Sequence, residues 1–443
     1  MKYLLYFAFV IFLFGCKGST KNEITILGEN ASTIQAMMAL EKDFEKKYPN
    51  DDLIFKPNSY DDAFTKANQD FASGTGLYDI VMQYNFSLSS FVRNNYIYNM
   101  ESLLKDIPDS LKAFENDIFP NAWKEVGFYT DLSGKEKSGM VKVGYPWASN
   151  TMLLMYNRAM FEDSSNRLRY KQKYNEDLAV PSNWEQFVRV AGFFTDKSKN
   201  RYGVCLQGAE GGWVYFEWMN FLFGMGGKTM DKQYGWQGDE NTKILLNSPE
   251  ALKAAKLYKS LKPYNSGGYF NIEQSEQMKI MLQGNTAMAI VWSDLIYYSI
   301  KTKDGFNSNF GFAPVPGNIS VLAGGAFFIN KKSKEPHEAM RYVVDIMQPK
   351  MQIELAKRGL CSSLKSVYEN EEVKKIPYAD ALRTSLERGS YTYEAGPDAT
   401  MISEKITTYI QKMWNDELTP EDALKKMQGE IEAERKIIFS KLK

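Results

Sequence analysis

The chain has 443 residues, in which 54 lysines and arginines balance 54 aspartates and glutamates beside one histidine, His337. Balanced charge without a long block of one sign lacks the basic footprint of a nucleic-acid binder. A lone histidine excludes a two-histidine zinc motif, leaves any Ser-His-Asp or Cys-His site dependent on His337, and no Gly-x-Ser-x-Gly elbow occurs; no cofactor or metal site is indicated.

In chain order, Lys2 comes first, followed by an apolar run from Tyr3 to Phe14 and the small Gly15. That is the pattern of a secretory signal, since roughly a dozen apolar residues fall short of the about 20 that a spanning helix needs. The ending Leu13-Phe14-Gly15-Cys16 resembles the lipobox of bacterial lipoproteins. The resemblance implies a signal peptide over 1–15, acylation of Cys16, and anchoring to a bacterial membrane facing periplasm or cell exterior. An ordinary cleaved signal with an incidental cysteine is the plainer alternative. Residues 16–22 read as a small polar tether with about 20 Å of reach. Behind it lie about 420 residues, more than one core usually serves, so at least two lobes are expected.

Glu23 to Leu27 predicts a strand, and Met37, Leu40, Phe44 and Tyr48 fall on one face of a helix stopping before Pro49. Leu53 to Phe55 predicts a second strand. Tyr60, Phe64, Ala67 and Phe71 mark a second helix ending at Gly74, and Asp79 to Met82 a third strand. Such alternation implies an α/β lobe with parallel strands, whose ligands sit beyond the carboxyl ends of the strands. The stretch Gly208 to Gly238 crowds together Trp213, Tyr215, Phe216, Trp218, Phe221, Phe223 and Trp236, most of them expected in the core. Gly227-Lys228-Thr229 imitates a phosphate loop, but the motif's first glycine falls on Leu222, so these glycines read as a helix end. Leu245 to Leu261 and Ile272 to Gln283 read as helices, Ala287 to Trp292 and Phe310 to Ala313 as strands, giving a second α/β lobe. His337, after Pro336, reads as an exposed first-turn residue. Ile402 to Lys443 is helical with a stop at Thr419-Pro420-Glu421. Cys205 and Cys361 are either a disulfide or two buried thiols.

Several segments, in order, resemble the bacterial extracellular solute-binding proteins of carbohydrate ABC transporters. They are Phe44-Glu45-Lys46-Lys47-Tyr48-Pro49; Ala72 to Val81, with Tyr78 in place of the usual proline; Gly144-Tyr145-Pro146-Trp147 followed by Leu154 to Arg158; and Pro181 to Phe187, with Asn183 where the family has threonine. Gln283 to Met288, Phe312 to Gly317 and Gly324-Gly325-Ala326 complete the set. The resemblance implies a two-lobed periplasmic-binding-protein-like fold of type II. Its lobes would be 23–148 plus 320–372 and 149–319 plus 373–443, hinged around a cleft. It also implies a monomeric, non-enzymatic protein that hands a carbohydrate to ABC transporter permease subunits.

A pyranose has apolar faces that lie on aromatic rings and a rim of hydroxyls that donate and accept. On that chemistry Trp292 with Asp294 is the first choice, a ring to stack on and a carboxylate to accept. Trp213 and Tyr215 resemble the family's cleft aromatics by position. Glu29, Asn30, Gln83, Tyr84, Asn85 and Asn150 stand at strand ends, and Trp147 lies on the crossing beside Asn150. Gly324 and Gly325 mark the return crossing over Asn318 to Gly325, where backbone passes close to a ligand or merely turns. Tyr391 and Tyr393 precede the final helices. Two other functions stay open: a binding protein for a solute such as a polyamine, which the aromatics, Glu29 and Asp294 would also suit, and a glycoside hydrolase using two of Glu29, Glu210, Glu217 and Asp294.

Overall fold

The computed structural model describes residues 21–130, 139–231, 241–392 and 396–442. The runs of β-branched and aromatic residues bounded by turns form nine strands of one sheet. They are β1 (Asn22–Glu29), β2 (Asp51–Asn58), β3 (Ile80–Tyr84), β4 (Tyr145–Asn157), β5 (Tyr202–Cys205), β6 (Thr286–Trp292), β7 (Phe310–Pro314), β8 (Ser320–Ile329) and β9 (Ser390–Thr392). Their order is β2-β1-β3-β8-β4-β6-β5, with β7 also on β4 and β9 also on β8. β1 runs parallel to β2 and β3, and β5 parallel to β6, as helical crossovers require. β4 and β8 are antiparallel to each other and join the two ends of the sheet. At 13 residues, β4 is about 43 Å long, enough to run through both halves.

Alternation along these strands sorts side chains into three cores. Ile26, Ile80, Met82, Phe327, Leu153, Met155, Ala289 and Val291 share a core that continues through both halves. The opposite face is divided. Leu27, Val81 and Phe328 join Phe71 and Phe91 in the first half, whereas Met152, Leu154, Met288 and Ile290 join the aromatic helix Trp213–Gly224 in the second. With both faces buried, β6 and β8 are buried at every position, so their sequences read as near-continuous apolar runs.

Several expected elements are found where the pattern put them. The helix Tyr60–Ser73 begins at Ser59, whose side chain accepts from the Asp62 amide at 3.2 Å, and stops at Gly74 with φ of +68°. The aromatic helix ends where Gly227 N–H donates to the Leu222 carbonyl, so Gly227-Lys228-Thr229 is a helix terminus rather than a phosphate loop. His337 is exposed in the first turn of Pro336–Ile346. Cys205 and Cys361 are buried free thiols. Trp236 and Cys16 lie outside the described residues.

Other elements differ. The single helix expected across Met37 to Tyr48 is two, Ser32–Met38 and Glu41–Lys47. Leu40 turns out of the helical region and donates to the Met37 carbonyl, yet Met37, Leu40 and Phe44 still enter one core, so the apolar spacing survives the break. The helix expected from Leu245 begins at Pro249, because Ser248 caps it and proline occupies its first position. The last helix, Pro420–Ser440, is pinned by a buried ion pair, Arg435 Nε to Asp398 Oδ2 at 2.5 Å, with Arg435 also donating to the Thr242 carbonyl.

Candidate functional site

The carboxyl ends of β1, β3 and β6 and the middle of β4 deliver the polar residues of one cluster. Glu29 closes β1 and Tyr84 closes β3; the Tyr84 hydroxyl donates to Glu29 Oε2 at 2.6 Å. β6 ends at Trp292, and the chain turns directly into the helix Ser293–Ile300, which places Asp294 in its first turn. Ser293 holds that junction: its hydroxyl accepts from the Thr151 amide at 3.1 Å and contacts Cys361 Sγ at 3.3 Å. From β4, Asn150 donates through Nδ2 to Asp294 Oδ2 at 3.2 Å. Asn150 is 4% exposed, and both its Oδ1 and Asp294 Oδ1 are buried with no hydrogen-bond partner among the described residues. Two side chains joined by one hydrogen bond thus each leave a buried acceptor oxygen open, a costly arrangement unless a donor visits them.

Electrostatics couple the groups of the cluster. Burial, then the nearby charge of Glu29, push the Asp294 carboxyl up to about 7, against the pull of its own and the Leu295 amides. Burial also raises Glu29, with the Tyr84 hydrogen bond opposing and Asp61 adding to the shift. The Tyr84 phenol is raised by burial, then by Glu29 and Asp294. The Glu29 charge is thus felt at Asp294 and at Tyr84, two groups from separate elements.

Aromatic rings wall the same place. Tyr84 lies 5.5 Å from Tyr60 and 5.9 Å edge-on from Trp147, and Tyr60 lies 5.8 Å from Phe86. On the second half Trp292 meets Phe216 edge-on at 5.3 Å. Phe86 and Leu295 each pack against both the shared core and the core of the second half.

The remaining expected site residues are placed as follows. Asn30 is exposed, accepting from Gln35 Nε2 at 2.6 Å at the start of the first helix. Gln83 is buried beside Ser87, and Asn85 is fully buried. Tyr215 is buried in the second-half core, Trp213 is half-buried one turn before Glu217, and neither is the ring that meets Trp292. Gly324 and Gly325 are no plain turn. They sit buried mid-strand in β8, where a Cβ on Gly325 would lie 2.2 Å from the Trp147 indole and one on Gly324 2.6 Å from Glu125 Oε2. Their missing side chains make room for these two residues. Tyr391 lies on β9 in register with Val321, and Tyr393 falls outside the described residues.

Tyr60, Phe86, Phe216 and Glu125 were not singled out from sequence. Tyr60 had a usable signal in its position at the N-terminal end of its helix, the end nearest the strand ends; in the structure it is 40% exposed. Of the four carboxylates considered for hydrolysis, only Glu29 and Asp294 come together. Glu210 is exposed, and Glu217 is sealed in the second-half core, raised by burial despite Gln207 and Gln277. Among the described residues no group of three or more His, Cys, Asp and Glu could hold a metal, and no helix is long and apolar enough to cross a membrane.

The family described as bacterial extracellular solute-binding protein matches residues 28–350. A relative from Brucella abortus (strain 2308), named only as a binding protein, is 25% identical over 322 residues, covering 70% of this chain and 69% of its own. Among solved structures, the ABC transporter solute-binding protein of Agrobacterium radiobacter K84 in complex with ribitol superposes with a TM-score of 0.74 at 21% identity. It covers 93% of this chain and 98% of the other. The Thermotoga lettingae TMO solute-binding protein bound with α-D-tagatose gives 0.74 at 23% identity, covering 94% and 100%. These likenesses establish the two-lobed α/β binding-protein fold.

Proposed function

This chain belongs to the bacterial extracellular solute-binding proteins, and on that premise we propose that it captures a sugar or sugar alcohol between its lobes and delivers it unchanged to an ABC transporter. The observation that carries this reading is the Glu29–Tyr84 and Asn150–Asp294 cluster, with buried acceptor oxygens left open beneath aromatic rings. Hydroxyls of a polyol donate to such oxygens, and the apolar face of a sugar lies against such rings. Ribitol and α-D-tagatose in the two structural relatives support that solute class.

In this reading β4 and β8 serve as the hinge, and the lobes divide as 23–148 plus 320–372 and 149–319 plus 373–443. Solute drives closure only through its preference for the closed form; moving the population from mostly open to mostly closed takes about 5.5 kcal/mol. Cys16 carries the lipid that keeps the protein beside its transporter, and a short tether raises the local concentration of a loaded protein at the permease. The protein works as a monomer.

Native mass spectrometry after incubation with pentoses, hexoses, their alditols and disaccharides tests capture against hydrolysis. The expected result is a 1:1 complex whose added mass equals the intact solute. Release of shortened products would contradict the binding reading and favour the two-carboxylate alternative.

A further inference from the structure

We propose that the preferred solute is a polyol bearing a positively charged amine, of the amino-sugar or amino-alditol class, with the amine seated between Glu29 and Asp294. The inference rests on the carbohydrate-capture reading and adds a charge to the solute. Glu29 arrives on the end of β1 and Asp294 on the first turn of the helix after β6, and the Asp294 backbone carbonyl lies 3.5 Å from the hydroxyl of Ser32, three residues past Glu29, so the two carboxylates come from separate parts of the sheet to one place. The charges that act on them through space are themselves negative: Asp61 on Glu29, and Glu29 on Asp294. Two like charges brought together away from water are unfavourable until a cation joins them.

The hydrogen-bonding pattern points the same way. Asn150, nine-tenths buried, spends its amide N–H on Asp294 and turns Oδ1 free, beside a free Asp294 Oδ1. The Tyr84 hydroxyl proton is spent on Glu29. What this side of the site leaves open is therefore acceptors. An ammonium is three donors and no acceptor, and its bonds to carboxylates are charge-assisted and so stronger than those of a hydroxyl. Tyr60, Tyr84 and Trp147 are grouped at the same strand ends, and aromatic faces favour a cation further. The Trp147 indole N–H, a buried donor with no partner among the described residues, keeps one position for an oxygen. That combination suits a solute carrying both an amine and hydroxyls better than a bare polyamine.

The test is calorimetric titration of the protein, near neutral pH, with matched pairs differing only by amine for hydroxyl. D-glucamine is paired with D-glucitol, D-glucosamine with D-glucose and 1-amino-1-deoxyribitol with ribitol, with putrescine as the amine lacking hydroxyls. At least one amino member should bind about tenfold or more tightly than its neutral partner, and Asp294→Asn should collapse that ratio toward one. Neutral members binding as tightly as their amino partners would overturn the amine while leaving sugar capture standing. Putrescine binding more tightly than every amino polyol would overturn the hydroxyl component. A ratio that survives Asp294→Asn would overturn the placement of the amine. Binding by none of the probes would overturn both this proposal and the reading it rests on.

Discussion

Asp294 occupies the first turn of a helix, where backbone amides favour the charged carboxylate, yet burial and Glu29 outweigh them and hold its proton up to about 7. An acid whose folded value is raised binds more protons folded than unfolded, so its contribution to stability is present below its ordinary value of 3.8 and is lost as pH rises through about 7. Thermal melts of the wild type and Asp294→Asn across this window should therefore diverge. The variant gains stability relative to the wild type as pH rises from about 4 to about 7, and parallel curves would show that Asp294 does not titrate there. Tyr84 offers a second check at one residue. Tyr84→Phe leaves the half-buried Glu29 carboxylate without its donor, and removing a hydrogen bond to a charged group costs about 1.5–3 kcal/mol. Urea unfolding near neutral pH should register that loss together with weaker solute binding.

At the scale of elements, β8 is held in the sheet by side chains that would tolerate little change. Asn220, fully buried on the aromatic helix, accepts from the Val321 amide at 3.0 Å and donates to the Phe216 carbonyl at 2.9 Å. Asn220→Ala strands the Val321 N–H in the interior, a cost of about 1–3 kcal/mol readable in chemical denaturation. Gly325→Ala places a methyl inside the Trp147 indole, and overpacking of this kind costs about 1–3 kcal/mol. Tryptophan fluorescence should change with it, since Trp147 must move. These same elements mark where sequence was readable. Strand ends carrying Glu29, Tyr84 and Trp292, and the Gly74 stop, follow from periodicity and turn chemistry, which are local. The break at Leu40 has no glycine or proline to announce it, and Leu40 enters the shared core with Met37 and Phe44 all the same. Apart from Glu217 and Asn220 the aromatic helix is apolar or glycine at every position, so periodicity could not tell that Phe216, rather than Trp213 or Tyr215, meets Trp292. Likewise the glycine pair advertised a close approach but not its partners, Trp147 and Glu125, which come from distant parts of the chain.

Across the whole molecule, one core runs along one face of the sheet through both halves, while the other face carries two separate cores, to both of which β8 contributes side chains. If β4 and β8 act as the proposed hinge, bending falls at the crossings, where the register shifts after Gly325 beside Asn150. Phe86 and Leu295 are each in contact with two of these cores. A solute that binds the folded protein stabilises it by mass action, about 2.7 kcal/mol at 100 times its dissociation constant. The most direct measurement of the account is thus thermal unfolding of the wild type and Asp294→Ala against a panel of neutral and amino sugars and alditols. At least one compound should raise the wild-type melting temperature, increasingly with concentration, and leave Asp294→Ala unmoved. A panel that shifts nothing, or a shift of equal size in the variant, would contradict solute capture at this cluster.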